Sequence, residues 1–304
     1  CSSDLMVKLS SENDFIILEG DEYLSSPIDS RPKFLHYHPN IALISGISWD
    51  HINVFKTEEE YVDTFRNFIQ NITSGGILVY NEEDENLVKL VDEAENYFRK
   101  MPYKTPNYET KNGKTSVETE MGQIPLKIFG KHNLLNLEGA RLICNQLGIL
   151  DEDFYEAMMS FSGASKRLEK VKRNDDVILY RDFAHAPSKV KASVEAFAEQ
   201  FPAMKKIGVL ELHTYSSLNP AFLPQYKNTL AQLDEAVVFY DLEALKIKNM
   251  TPISPELIKE SFGKENLQVF TNADDLKNFW QNLEKSNAAF LMMSSGNLGG
   301  ISLT

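Results

Sequence analysis

The sequence predicts an α/β protein with mainly parallel sheets covered by helices. Three observations carry this. Short apolar runs recur at Phe15–Leu18, Ile41–Ile44 and Gly76–Tyr80, each with the length of a strand buried on both faces. Segments of helical periodicity lie between and after them. From Val177 onward, strand-like and helix-like segments alternate at the spacing of βαβ units.

Taken in order, Glu58–Ile72 places Tyr61, Phe65, Phe68 and Ile69 on one helical face. Glu85–Phe98 does the same with Leu87, Leu90, Val91 and Ala94. Asn112-Gly113 signals a hairpin, with strand-like residues on both sides as far as Phe129. Asn133–Leu147 reads as a helix closed by Gly148, and Asp151–Ser160 as a shorter one. The second half predicts strands at Val177–Tyr180, Ile207–Leu210, Ala236–Tyr240, Leu267–Phe270 and Ala289–Met293. Helices are expected at Pro187–Gln200, Pro220–Leu233, Pro255–Ser261 and Ala273–Glu284. The small-residue stretch Ser162-Gly163-Ala164-Ser165 is the expected boundary, dividing residues 1–162 from residues 163–304.

The chain has 304 residues, enough for two domains, with 44 acidic against 31 basic residues and a net charge of -13. That balance disfavours a nucleic-acid partner, because phosphate backbones select a basic face. An anionic nucleotide held locally by backbone N–H groups and a metal stays open. No run approaches the ~18 apolar residues of a membrane span. Only Cys1 and Cys144 are present, so no disulfide framework is expected. Cys1-Ser2-Ser3-Asp4 has the form of a mature lipoprotein start; we read it instead as the start of a truncated chain.

Several segments carry residues suited to chemistry. Glu19-Gly20-Asp21-Glu22 follows the first apolar run, at the strand end where ligands of open α/β sheets gather. Clustered carboxylates there suit a hard cation such as Mg²⁺, or a solvated acidic loop. Trp49-Asp50-His51 follows the second run in the same way. Gly130-Lys131-His132-Asn133-Leu134-Leu135-Asn136 opens a helix with two amides on one face. One of them can cap the helix; the other suits a base or a phosphate. Arg167, at the domain junction, can clamp a phosphate or pair with Glu169. Asp182 ends a strand and serves equally as a ribose-hydroxyl acceptor or a cap. Ser294-Ser295-Gly296-Asn297-Leu298-Gly299-Gly300 closes the last strand with small residues that let backbone N–H groups approach an anion. Gly113-Lys114-Thr115 imitates the end of a phosphate-binding loop. Position 108 is Tyr where that motif needs Gly, so we read it as the hairpin turn.

The order of these segments resembles the Mur ligase family. The cues are Glu19-Gly20-Asp21-Glu22-Tyr23, Arg31-Pro32-Lys33-Phe34-Leu35-His36-Tyr37, Trp49-Asp50-His51, the Gly130–Asn136 segment, Lys166-Arg167-Leu168-Glu169, Asp182-Phe183-Ala184-His185-Ala186-Pro187 and Met293–Ile301. The resemblance spans essentially the whole chain. It implies a truncated central, ATP-binding domain followed by a Rossmann-like C-terminal domain. It further implies a cytoplasmic ATP-dependent ligase with Mg²⁺, acting on UDP-N-acetylmuramate. Within the family it points to the members whose acceptor is a murein tripeptide, with the L-alanine-adding members and a non-catalytic module of the same fold as alternatives. By resemblance, Glu19 and His51 hold the metal. Asn133 and Asn136 contact ATP, Arg167 reaches its phosphates, and Asp182 holds its ribose. The acceptor peptide is placed, on strand-end geometry, near His213, Thr214, Ser294, Ser295 and Gly296. Two departures stand out. Ala186 replaces a second His before Pro187, and Thr64-Phe65-Arg66 stands where some relatives carry a carbamylated Lys. The phosphate-binding loop expected before Glu19 is not found, so this chain is expected to bind ATP weakly and to turn over nothing by itself.

Overall fold

A computed structural model of the chain describes residues 11–52, 54–173 and 176–302. The reading of Cys1-Ser2-Ser3-Asp4 lies outside these residues. The chain divides into two units, Cys1–Tyr103 and Lys104–Thr304.

In the first unit, β1 (Leu24–Ser26) and β2 (Asp29–Pro32) form an antiparallel hairpin, followed by a 3-10 turn at Lys33–His36. β3 (Ile41–Ile44), β4 (Gly76–Asn81) and β5 (Phe98–Tyr103) form a parallel sheet in that order. α1 (Glu58–Gln70) connects the first pair and α2 (Glu85–Glu93) the second. Thr57 and Glu60 form a reciprocal capping box at the start of α1, and the Asp84 side chain caps α2 through Leu87 N. The faces read from periodicity are the ones buried: Tyr61, Phe68 and Ile69 on α1, and Leu87, Leu90 and Val91 on α2. Each such side chain contributes roughly 1.5–3 kcal/mol on burial.

Two expectations fail here. Phe15–Leu18 forms no strand, and Ile17 is 85% exposed. β-type composition is stable as a strand only against a hydrogen-bonding neighbour, and this run is given none. The helix expected to reach Phe98 ends at Glu93, and Phe98–Tyr103 instead adds β5 beside β4, because Phe98 and Tyr103 bury themselves in strand geometry.

The second unit opens with a three-stranded antiparallel sheet, β6 (Tyr108–Lys111), β7 (Lys114–Thr119) and β8 (Gly122–Leu126). Asn112 (φ 52°) and Gly113 (φ 69°) make the tight turn between β6 and β7 that their pairing predicts. α3 (Lys131–Gln146) and α4 (Asp151–Ser160) pack on this sheet through Val117, Leu126, Leu134, Leu137 and Phe154. The remainder forms β9 (Glu169–Arg173), β10 (Val177–Asp182), α5 (Pro187–Gln200), β11 (Lys205–Glu211), β12 (Glu235–Phe239), α6 (Leu242–Ile247), α7 (Pro255–Phe262), β13 (Gln268–Phe270), α8 (Ala273–Asn282) and β14 (Ala288–Met293). Its six-stranded sheet has the order β13-β12-β11-β14-β10-β9, parallel except for the β9 edge. All six residues of β14 are buried, as a central parallel strand requires. The expected α/β class with mainly parallel sheets is what forms.

Pro220–Leu233 is not the helix its periodicity suggests. Pro224 supplies no N–H, Asn228 is left-handed at φ 62°, and only a 3-10 turn forms at Leu223–Tyr226. The segment still buries Leu223 and Tyr226, whose hydroxyl donates to the His185 carbonyl. The Ser162–Ser165 stretch lies inside the second unit, between α4 and β9. No strand pairing among the described residues crosses it.

Candidate functional site

In the first unit, the chain leaving β3 is fixed by the turn after β4. Asn81 Nδ2 donates to the Ser45 carbonyl at 3.1 Å, and Ile47 N donates to Asp84 Oδ2 at 2.5 Å. These bonds aim the segment that carries Asp50 and His51. His51 sits in the left-handed region, at φ 55°, and Asp50 Oδ1 accepts from its backbone N–H at 2.7 Å. The ring of His51 lies edge-on to Tyr23, with 5.1 Å between centroids. Its Nε2 is 3.6 Å from Glu22 Oε1, which also accepts from the Tyr61 hydroxyl at 3.0 Å. Burial, and then the Glu22 charge, push the Tyr61 hydroxyl pKa well upward, so it stays a donor.

The acidic segment is therefore sorted by its partners. Asp21 pairs with Lys33 at 2.6 Å, and Glu22 faces Tyr61 and His51. Glu19 lies exposed, three residues upstream and outside any strand. Its expected placement at a strand end is not realised, because the preceding run forms no strand. The carboxylate beside His51 is that of Glu22. Among the described residues, no three His, Cys, Asp or Glu side chains converge as a cation site. Mg²⁺ takes one or two protein carboxylates and completes its shell with water and substrate phosphates, so an acidic segment beside an imidazole fits it as a partial ligand set.

In the second unit, Gly130 (φ 88°) starts α3 without a side-chain cap. Asn133 Nδ2 donates to the Phe129 carbonyl at 2.9 Å, so one of the two amides braces the helix start. Asn136, one turn on, is exposed. His132, between Gly130 and Asn133, has a buried Nδ1 with no hydrogen-bond partner. Burial lowers its pKa; Asp182 opposes that and Arg167 adds to it, which places all three in one neighbourhood. Phe183 N donates to the Lys166 carbonyl at 2.7 Å, tying the Arg167 segment to the end of β10. Arg167 is exposed, its guanidinium 5.2 Å from the centroid of the Phe183 ring. It does not pair with Glu169, which Arg181 engages through two bonds of 2.9 and 3.1 Å. Asp182 is buried: Oδ1 accepts from Ala184 N at 3.1 Å and Oδ2 from Ser193 Oγ at 2.7 Å. Its first task is to hold the turn after β10. Each oxygen keeps a second lone pair.

The sheet order places β14 between β11 and β10, so the carboxyl ends of these strands flank a topological switch point, where open α/β sheets bind ligands. Glu211, Ser294 and Asp182 all stand there. Ser294 N donates to the Asp182 carbonyl at 2.9 Å, and its hydroxyl donates to Glu211 Oε2. Thr214 and Ser217 bond reciprocally in the loop after β11. The fold thus gathers His213, Thr214, Ser294, Ser295 and Gly296 at one sheet end. Sequence reasoning passed over Glu211, His132 and Lys248. A carboxylate closing the apolar strand Ile207-Gly208-Val209-Leu210 was a readable signal for Glu211. Lys248 had none.

Comparison with known proteins gives these residues a context. Residues 3–144 match the Mur ligase middle domain. A UDP-N-acetylmuramate–L-alanine ligase of Caldicellulosiruptor bescii is 29% identical over 255 residues, covering 80% of this chain and 54% of that protein. One from Clostridium botulinum is 27% identical over 300 residues, covering 94% and 63%. The chain thus spans between about half and two thirds of these relatives. Among solved structures, a murein peptide ligase from Psychrobacter arcticus aligns with TM-score 0.63 at 17% identity, over 97% of this chain and 63% of that one. MurF from Acinetobacter baumannii aligns with TM-score 0.69 at 18% identity, over 86% and 58%. At these identities the two structures establish the fold.

Proposed function

We propose, from the premise that this chain belongs to the Mur ligase family, that the protein is an ATP-dependent ligase. It forms an amide between the carboxylate of UDP-N-acetylmuramate and an amino-group acceptor. The observation that carries the reading is likeness to L-alanine-adding ligases along up to 94% of the chain, across both units. L-Alanine is accordingly the acceptor we put first. The murein tripeptide is the second reading, carried by the sequence cues at Arg31–Tyr37 and Met293–Ile301.

In this reading a carboxylate oxygen of the sugar nucleotide attacks the γ-phosphorus of ATP, and ADP leaves. The acceptor amine attacks the acyl carbon and loses its proton, and phosphate leaves. Activation is needed because a carboxylate is a poor acyl donor. Glu19 or Glu22, with His51, would hold Mg²⁺, which offsets phosphate charge as Lewis acid and template. Asn136 offers its amide to the nucleotide, and Asn133 supports the helix start through Phe129. Asp182 accepts from the ribose on its remaining lone pairs, and Arg167 reaches phosphate from an exposed position. We keep 1–162 and 163–304 as the functional division.

The test is phosphate release by the product of the whole reading frame, supplied with ATP, Mg²⁺, UDP-N-acetylmuramate and either L-alanine or the tripeptide. Release should depend on one acceptor. His51→Asn, a residue that tolerates the left-handed region, should keep the fold and lower turnover by more than ~10²-fold. The 304-residue chain alone should release nothing above background, since it contains no G-x-x-x-x-G-K-[ST] segment. Release independent of either acceptor would overturn the reading.

A further inference from the structure

The carboxyl ends of β11 and β14 hold a side chain used in no step above. Lys248 follows α6 and reaches back over the loop after β11. Its Nζ donates to the His213 carbonyl and lies 5.1 Å from the centroid of the Tyr215 ring. A bond to one carbonyl occupies one of its three donors, and the ring face engages the charge without satisfying a second. Beneath it, Glu211 is 3% exposed, and its Oε2 accepts from Ser294 Oγ and from Leu298 N, the latter at 2.8 Å. Gly296 closes over this carboxylate: a Cβ there would lie 2.7 Å from Glu211 Oε2 and 3.1 Å from His213 Cγ. The loops after β11 and β14 are therefore in contact and braced by one buried carboxyl group. The Ser295 hydroxyl is buried with no hydrogen-bond partner among the described residues. Partial burial lowers the Lys248 pKa, with Glu211 opposing the shift.

We propose that Lys248 is a specificity-determining residue whose ammonium binds a carboxylate of the acceptor amino acid or peptide. The assignment rests on the ligase reading above. Two features place a ligand here, and a third favours a carboxylate over a polyphosphate. The ammonium is a compact point charge, held at a fixed height by the His213 carbonyl and the Tyr215 face. Glu211 lies close enough to oppose the burial-driven shift of Lys248, so a carboxyl group already shares the ammonium's surroundings. A zwitterionic amino acid suits such a place better than a polyanion does. The position is also the switch point of the sheet, where the topology itself leaves a crevice.

A structural clasp and a carboxylate receptor differ in one readout, the discrimination between an acceptor and its carboxamide. The unsubstituted product of the whole reading frame should use L-alanine about 10- to 100-fold better than L-alaninamide, the worth of a charge-assisted bond. Lys248→Met should raise KM for L-alanine by the same factor and bring the two acceptors level. The KM values for ATP and UDP-N-acetylmuramate should hold within about twofold, the pattern of lost ground-state binding. Lys248→Arg should restore the discrimination. The tripeptide and its singly amidated forms, run in parallel, identify which carboxylate is read if the tripeptide is the better acceptor. An unsubstituted product of the whole reading frame that is inert with every acceptor ends the ligase reading and this assignment with it. An active protein whose Lys248→Met variant still discriminates ends the assignment alone. So does a variant whose three KM values rise together.

Discussion

Gly130→Ala is the substitution whose outcome the packing fixes most sharply. Gly130 has φ 88° and ψ 138°, a region that residues with a Cβ avoid. Entering it costs about 1–3 kcal/mol. A Cβ at this position would also stand 2.4 Å from Ala196 Cβ, on the facing helix α5. Relieving such overlap in a packed core costs about 1–3 kcal/mol more. The total is roughly 2–6 kcal/mol, a large share of a domain's stability. Gly148 is the control: its φ is 86°, and nothing lies within 4 Å of its Cβ position. Gly148→Ala should cost only the backbone part, about 1–2 kcal/mol. Ala196→Gly, introduced with Gly130→Ala, removes the atom being struck. The pair should recover ~1–3 kcal/mol, set against the ~1 kcal/mol that glycine costs inside a helix. Urea titration followed by Trp280 fluorescence reports on this unit, since that indole packs edge-on to Phe290 at 5.2 Å. A loss near 4 kcal/mol moves the midpoint by more than ~1 M at unchanged slope. Equal losses from Gly130→Ala and Gly148→Ala, or no recovery in the pair, would show that the α3–α5 contact is not what demands glycine.

Two further outcomes follow from the same unit. Ser193→Ala removes the 2.7 Å donor to the buried Asp182 carboxylate and should destabilise by about 1.5–3 kcal/mol, whereas Ser193→Thr should retain most of it; thermal and urea midpoints together check this, and a loss under ~0.5 kcal/mol would mean water replaces the bond. His132 carries a folded-state pKa lowered by burial, so below about pH 6.5 the unfolded imidazole takes up a proton that the folded one resists; stability should therefore fall as pH drops through that range, and His132→Gln should fall less steeply between pH 7.5 and 5.5, with parallel curves refuting the assignment.

Much of the architecture was legible because local rules and tertiary packing agree. Asn112-Gly113 can supply two positive φ values in succession, and the hairpin forms there. Pro187 starts α5 and Gly148 follows α3 as their backbone preferences demand. The apolar stripes of α1 and α2 are the faces that pack. The candidate residues were legible as types, but their pairings were not. Glu19 was the carboxylate expected, by resemblance, to share a cation with His51, yet Glu22 is the one beside that ring. Arg167 was offered Glu169 as a partner, and Arg181 takes that carboxylate instead.

The sequence by itself determined the α/β class, most helix faces, the tight turn and the polar residues at the ends of β10, β11 and β14. These depend on periodicity, backbone preference and strand polarity, which act over a few residues. Only the tertiary structure decided that Phe15–Leu18 stays without a strand partner, that Phe98–Tyr103 joins a sheet and that Pro220–Leu233 collapses to a turn. Only it inserts β14 between β11 and β10, so that residues 83 positions apart, Glu211 and Ser294, share one hydrogen bond. A strand needs a neighbour and a buried carboxylate needs donors, and both can come from any distance along the chain. Lys248 shows the same limit: nothing in its local sequence distinguishes it, and its neighbours His213 and Tyr215 are supplied by a different strand end.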